Sequence, residues 1–480
     1  MSENLKSKTI LGIFWSSIER FSLGTVQFVI NLIMARLLLP SDYGMIGMLA
    51  IFLQISQAFV DSGFTNALIQ RKDRTEIDFS TAFYFNVVIA FVFYIILFIS
   101  APWIAHFYNM PELITITRII SLGLIINSLS AVHKVKLTIN VDFKTQSKAS
   151  LTAIILSGSF GIWMAYRGWG VWALVFQSLF NSLLLTVLYF YLVHWKPLMI
   201  FSRKSFNNLF SFGSKLLFAG MINTVYRNLY TIVIGRKFSA VELGYYTRAD
   251  QFAVYPSANL NGTISRVMYP ILSSIQNDNV RLAKAYRMYI QYSSYLIFPL
   301  MVMLAALARP MIELLLTDKW SGVIILLQIL CFDWMFDHLS LINLNLLYVK
   351  GRSDLALKLE IVKKIIATSI LFASIPFGLI GMCWGRVLYS LIAAYLNANY
   401  TNELIGISFI DQMKDIFPYL FLALSMGGIV YGITFLDISN MKQLTVGITT
   451  GFTFYIFFSF IFKVEPCRAL LKLISKWKKK

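Results

Sequence analysis

The sequence predicts an all-α polytopic membrane protein. About fourteen spanning helices form two six-helix lobes, built as a parallel repeat, followed by two further helices. Three observations carry that prediction. Of the 480 residues, 58% are hydrophobic and only 14% are charged, against about 45–50% and about 25% in a soluble domain. Apolar runs of about 20 residues, the length a helix needs to cross a bilayer, recur along the whole chain. Polar punctuation also recurs at a fixed offset of 200 positions, so that one half echoes the other.

The apolar runs lie near 11–35, 43–66, 79–101, 113–133, 149–166, 169–194, 208–235, 243–270, 287–308, 322–348, 360–377, 379–401, 416–436 and 444–462. The chain opens on "MSENLKSKTILGIFW", which runs into the first of these and has no small-residue cleavage site after a short apolar core. It reads as a cytoplasmic start and a retained first span. The loop "ARLLLPSDYG" (35–44) divides the first two runs. "RGWG" at 167–170 divides the fifth from the sixth, and "PFG" at 376–378 alone divides the eleventh from the twelfth, since Gly and Pro are the strongest local breaks. The expected division is 1–200 for helices 1–6, 201–405 for helices 7–12, 406–464 for helices 13–14 and 465–480 for a basic cytoplasmic tail. Connections are short throughout, so no sizeable soluble domain is inserted.

Lysine and arginine set the orientation. With the N-terminus inside, the inner segments hold 28 of them and the outer loops 7, the other 7 lying within spans. An even number of spans with both ends cytoplasmic follows. The same bias explains much of the net charge of +19. A nucleic-acid partner is excluded, because no stretch is long enough for a basic soluble domain and no binding motif appears. The tail "CRALLKLISKWKKK" either lies on the inner leaflet, attracting anionic membrane lipids at about 1 kcal/mol per cation, or is a solvated stop-transfer tail. Cys331, Cys383 and Cys467 have neither disulfide nor zinc spacing, and the first two read as small core residues.

At the 200-residue offset, Arg36 recurs as Arg236, Asp42 as Glu242 and Gly44 as Gly244. Gln27 overlies Arg227, Asn31 overlies Thr231, Asp61 overlies Asn261, Thr65 overlies Ser265 and Asn66 overlies Arg266. Weaker echoes link "VDFKTQSK" (141–148) with "RSDLALKL" (352–359), and "GWGVWAL" (168–174) with "GLIGMCW" (378–384). Six spans per half is an even number, so both halves enter the membrane from the same side, as parallel repeats do.

An ionisable group in hydrocarbon costs about 2.5–3.5 kcal/mol on insertion scales, and such groups usually face a cavity or a partner. In the first span Arg20, Gly24, Gln27 and Asn31 share one helix face, with Glu19 beside it. In the second, Gln54, Gln57, Asp61 and Thr65 do the same. In the seventh, Asn223, Arg227 and Thr231 form a face with Lys215 two turns before it. In the eighth, Arg248, Gln251, Tyr255, Asn259 and Arg266 line one side. A central cavity lined by these four spans is the simplest arrangement. Its charge excess is cationic: Arg20, Lys215, Arg227, Arg248 and Arg266 against Glu19, Asp61 and Asp250. Arginine matches phosphate geometry and stays charged when partly desolvated, so an anionic, phosphorylated substrate is the inference. The competing reading is that these cations pair internally or snorkel to headgroups. Asp61, Glu19 and Asp250 are candidates to carry a coupling ion, as are Asp333 and Asp337 of "CFDWMFDH". The last two, beside His338, equally suit a polar helix–helix contact. No further ligand supports a metal there.

No enzyme signature emerges: the sequence holds no phosphate-binding glycine loop, nucleotide site or HExxH motif, and it calls for no cofactor. Pro256, Pro270, Pro299 and Pro376 sit in or at the ends of spans, where prolines kink helices.

"ARLLLPSDYGMIGMLAIF" after the first span, "DSGFTNALIQRKD" after the second and "GWGVWALVFQSL" at the fifth junction resemble the polysaccharide exporters of the multidrug/oligosaccharidyl-lipid/polysaccharide transporter superfamily. The resemblance is to the Wzx-type flippases, similar to colanic acid and teichuronic acid exporters. It spans nearly the whole chain, clearest over 10–180 and weaker after 400. It implies a V-shaped fold like that of the multidrug extrusion (MATE) branch, in the bacterial inner membrane. It implies an undecaprenyl-diphosphate-linked oligosaccharide as substrate, moved between leaflets for surface polysaccharide biosynthesis, with the polysaccharide polymerase machinery as a further partner. Related lipid II flippases use arginines of their first, second and eighth helices. By position Arg20 and Arg266 correspond, but the second span holds Asp61 and no interior arginine, so that part does not carry over. The alternatives are a cation-drug antiporter, which wants an acidic cavity, a membrane polysaccharide polymerase, which wants larger outer loops, and an assembly scaffold.

Overall fold

A computed structural model of the chain describes residues 22–61 and 63–468, apart from the side chains of residues 215, 216, 218 and 219. Among the described residues the regular structure is entirely helical. The helices are α1 (Ser22–Leu37), α2 (Pro40–Asp61), α3 (Phe64–Gln70), α4 (Glu76–Tyr108), α5 (Leu113–Ile120), α6 (Leu122–Ile139), α7 (Phe143–Tyr166), α8 (Val171–Val193) and α9 (Arg203–Lys237). They continue with α10 (Ala240–Ser274), α11 (Asn279–Ala306), α12 (Ala308–Leu316), α13 (Gly322–Val349), α14 (Ser353–Ser374), α15 (Gly378–Ile405), α16 (Phe409–Ile433) and α17 (Asn440–Ile461).

Ten helical stretches of the described residues are long and apolar enough to cross a membrane, one of them, Ser353–Ile405, holding both α14 and α15. The chain is therefore a multi-pass membrane protein. Both α9 and α10 have 35 residues yet fall outside these ten, because they carry the polar faces the sequence marks in its seventh and eighth runs. The expected breaks hold. At 167–170 the chain turns through Gly168 (φ 80°) and Gly170 (φ 53°), and at the eleventh junction through Ile375–Phe377 and Gly378 (φ 73°).

Local chemistry fixes several ends. Thr75 caps α4 reciprocally with Asp78: the Thr75 amide donates to Asp78 Oδ2 at 2.8 Å, and the Asp78 amide to Thr75 Oγ1 at 3.4 Å. Ser408 and Asp411 do the same for α16. Such side chains satisfy amides that the first turn leaves unpaired.

The chain divides into two compact units, Met1–Gly244 and Tyr245–Lys480. In the first, Met34 of α1 and Leu38 just past its end pack on Met164 and Ala173 from α7 and α8. Phe64, Phe79, Phe83, Val132 and Trp195 form a second cluster, where Lys136 Nζ and Trp195 Nε1 both donate to Glu76 at 2.6–2.9 Å. In the second unit, Arg287 of α11 grips Asp415 of α16 through two bonds of 2.6 and 2.7 Å. Tyr286 donates to Asn343, which donates in turn to Gln412. Lipid is as apolar as leucine, so helices associate there through close packing and polar links. The surface fits that setting, with Phe91, Ile99, Trp103, Phe421, Phe457 and Phe460 all exposed.

Candidate functional site

The repeated loop has the same geometry in both copies. The Leu38 amide donates to the Met34 carbonyl at 2.9 Å, and the Phe238 amide to that of Ile234 at 2.9 Å. The Leu39 amide donates to Asp42 Oδ2 at 2.9 Å, and the Ser239 amide to Glu242 Oε2 at 3.1 Å. Each acid therefore caps the helix that follows its loop. The two copies also touch. A Cβ added to Gly44 would lie 1.8 Å from the carbonyl oxygen of Ala240, and one on Gly244 would lie 2.0 Å from that of Pro40. Pro40 and Ala240 are themselves equivalent across the 200-residue offset. A contact in which i meets j′ and j meets i′ is that of a local two-fold axis.

At the far end of α2 the helix stops at Asp61 and α3 resumes at Phe64, with Gly63 at φ 69° in the left-handed region. Glycine is needed twice over, since a Cβ on Gly63 would lie 2.6 Å from the backbone of Gly213. Beside the break is a cavity of about 330 Å³ whose polar lining is Asp61, Thr65, Asn66, Lys134 and Thr138. Gln57 donates to Asp61 Oδ1 at 3.2 Å.

In the second unit one guanidinium joins three helices. Arg386 of α15 lies 2.8 Å from Asp250 of α10 and 2.6 Å from Asp333 of α13. Trp334 Nε1 donates to Asp250 at 3.0 Å, and Arg386 donates to the Tyr246 hydroxyl at 2.6 Å. Deeper along α13, Asn261 Nδ2 reaches Asp337 at 3.5 Å. Both ring nitrogens of the buried His338 have partners, Ser294 Oγ and the Met335 carbonyl, each at 2.8 Å. Of the readings that "CFDWMFDH" left open, a polar helix–helix contact describes Asp333.

The other candidates are scattered. Arg20 and Glu19 lie outside the described residues, and Lys215 stands on α9 with its side chain undescribed. Gln27 donates to Asn31 at 3.3 Å along α1. Asn223 and Arg227 are exposed on α9, and Asn259 and Arg266 on α10. Asn259 donates to the Tyr255 carbonyl. Arg248 is buried, donating to Gln251 Oε1 at 2.7 Å and lying over the Trp320 ring. Three residues of these contacts are not among the sequence's candidates. Arg386 is a lone cation in an apolar run, and Lys134 is one of the inner-side charges. The third is Asn228, whose Nδ2 donates to Gln54 Oε1 at 3.0 Å between α9 and α2.

Residues 33–325 match the family described as polysaccharide biosynthesis protein. The chain is 24% identical to the teichuronic acid biosynthesis protein TuaB of Bacillus subtilis (strain 168), over 95% of each chain. It is 25% identical to the lipopolysaccharide biosynthesis protein WzxC of Escherichia coli (strain K12), covering 82% of this chain and 81% of that one. It is also 25% identical to the succinoglycan biosynthesis transport protein ExoT of Rhizobium meliloti (strain 1021), over 67% and 65%. Among solved structures, the lipid II flippase MurJ in an inward closed conformation superposes with a TM-score of 0.74 at 15% identity, over 96% of this chain and all of that one. An inward-facing multidrug resistance MATE family transporter of the MOP superfamily gives 0.59 at 14%, over 84% and 98%. At these identities the likeness is one of fold.

Proposed function

This chain belongs to the polysaccharide biosynthesis protein family, and from that premise we propose that it flips a lipid-linked oligosaccharide for surface polysaccharide assembly. The substrate is an undecaprenyl-diphosphate-linked repeat unit, passed from the cytoplasmic to the outer leaflet of the bacterial inner membrane. The transporter has about fourteen spans in two lobes, 1–200 and 201–405, with helices 13 and 14 over 406–464 and both termini in the cytoplasm. The diphosphate and sugars cannot cross hydrocarbon unaided, whereas the polyprenyl chain is at home there.

One observation carries the reading: the reciprocal contact of Gly44 with Ala240 and of Gly244 with Pro40. The charge bias assigns those loops to the outer side. A contact this tight, made by the same loop of both repeats, works as an outer closure that parts when the repeats rock. Around such a closure alternating access needs only rigid-body motion. Arg227 and Arg266, both exposed, are the described cations offered to the diphosphate, with Arg20 and Lys215 as further members. Asp61, Glu19 and Asp337 are the carboxylates left for ion coupling, because Asp250 and Asp333 are held by Arg386.

The test is deletion in the native host, with lipid-linked oligosaccharides analysed by mass spectrometry and by leaflet sidedness. Complete repeat units trapped on the cytoplasmic leaflet are expected. Unpolymerised units reaching the outer leaflet would sink the flippase reading in favour of a polymerase role.

A further inference from the structure

We propose that the cavity at the α2–α3 break is a subsite for a glycosyl phosphate, in which Lys134 holds a phosphate oxygen while Asp61 and Asn66 hold hydroxyls of the attached sugar. The assignment rests on the flippase reading and gives the substrate's sugar–phosphate junction a place in the fold.

The first argument is the break itself. At the positions 200 residues later, α10 runs unbroken from Ala240 to Ser274. The repeat is thus interrupted in its first copy alone, at Gly63, where φ is 69° and the backbone of Gly213 leaves no room for a Cβ. Discontinuous helices are where transporters commonly build substrate sites.

The second argument is the chemistry of the wall. The cavity, of about 330 Å³, lies within the range of small-ligand sites. It presents a carboxylate and an ammonium that lie beyond ion-pair distance of each other, although the Lys134 charge does act on Asp61. A simple anion has no use for Asp61, and a simple cation none for Lys134. A ligand anionic at one end and hydroxylated at the other satisfies both. Lysine binds phosphate as a point charge. An ionised carboxylate offers about four acceptor positions, and among the described residues Gln57 donates to one of them at Asp61, on Oδ1. Asn66, also in the lining, supplies an amide donor and acceptor.

The third argument is depth. Asn66 and Lys134 stand at the ends of two apolar runs that the charge bias places on the inner side, level with the headgroups from which a cytoplasmic lipid-linked sugar would be taken up.

The experiment uses the full chain, purified in detergent, and titrates undecaprenyl diphosphate against its glucosyl and galactosyl derivatives by native mass spectrometry. The wild type should prefer a hexose-bearing lipid to the bare one. Lys134→Gln should weaken all three by about tenfold or more, the loss of one charge-assisted bond, and Lys134→Arg should restore them. Asp61→Asn should remove the preference for the sugar without weakening the binding of the bare lipid. Equal binding of bare and hexose-bearing lipids by the wild type, an undiminished preference in Asp61→Asn, or undiminished binding in Lys134→Gln overturns the assignment. Failure of the wild type to bind any of the lipids would instead strike the flippase reading itself.

Discussion

Gly44 and Ala240 meet so closely that a methyl group on the glycine would sit 1.8 Å from the alanine's carbonyl oxygen. The equivalent pair, Gly244 and Pro40, is as tight, at 2.0 Å. Alanine at either glycine must force the two loops apart. Overpacking of this kind costs about 1–3 kcal/mol, which moves a two-state balance by roughly 5–150-fold. Gly44→Ala and Gly244→Ala should each reduce surface polysaccharide while the amount of protein in the membrane stays normal. A cysteine placed at Ser41 should label faster with a membrane-impermeant thiol reagent in the Gly44→Ala background. Equal labelling would mean that the contact is not a closure.

That contact was half legible in the sequence. The matched Arg, acid and Gly at a 200-residue offset announced two copies of one loop, and the capping acids sit where the spacing put them. Nothing in the spacing said that the copies touch, because hydropathy patterns carry no information about which helices become neighbours. The same limit hid Arg386. Its partner Asp333 lies 53 positions before it, and Asp250 is separated from it by 136 residues. A lone cation in an apolar run was visible, but the choice among several acids was not. The break at Gly63 was invisible for another reason: "VDSGFTNAL" keeps enough apolar character for a single span to be read through it. Where sequence and structure agree most fully, at "RGWG" and "PFG", glycine and proline impose the geometry locally.

Arg386 should be a stability residue. It is largely buried and neutralises two carboxylates at 2.6 and 2.8 Å. Removing one partner of a buried ion pair leaves uncompensated charge and typically costs about 3–5 kcal/mol. Arg386→Met should therefore cut the folded fraction recovered in detergent, read by fluorescence-detected size exclusion. Adding Asp250→Asn and Asp333→Asn should restore much of it, because no charge is then left alone. If Arg386→Met is recovered as well as the wild type, the triad is not holding α10, α13 and α15 together.

Arg227 and Arg266 should behave in the opposite way. Both are exposed, and neither forms an ion pair among the described residues. Their alanine variants should extract and elute like the wild type. Export should fall by about tenfold or more if each supplies a charge-assisted bond to the diphosphate, while Arg227→Lys keeps part of the activity because a point charge still attracts phosphate. Wild-type export from both alanine variants would remove these arginines from the substrate path.

Gly63 can be separated from an ordinary turn glycine by comparison with Gly351. Both have φ of 69°. A Cβ on Gly351 would meet nothing within 4 Å, whereas on Gly63 it would lie 2.6 Å from Gly213. Gly351→Ala should cost only the left-handed backbone term, about 1–2 kcal/mol. Gly63→Ala adds overpacking of about 1–3 kcal/mol and pushes α9 away from the cavity wall. Thermal unfolding in detergent should rank the variants wild type, Gly351→Ala and Gly63→Ala in falling order, and only the last should also lose lipid binding. Equal losses at the two glycines would show that α9 has room to give way, and that the cavity does not depend on the break in α2 to keep its shape.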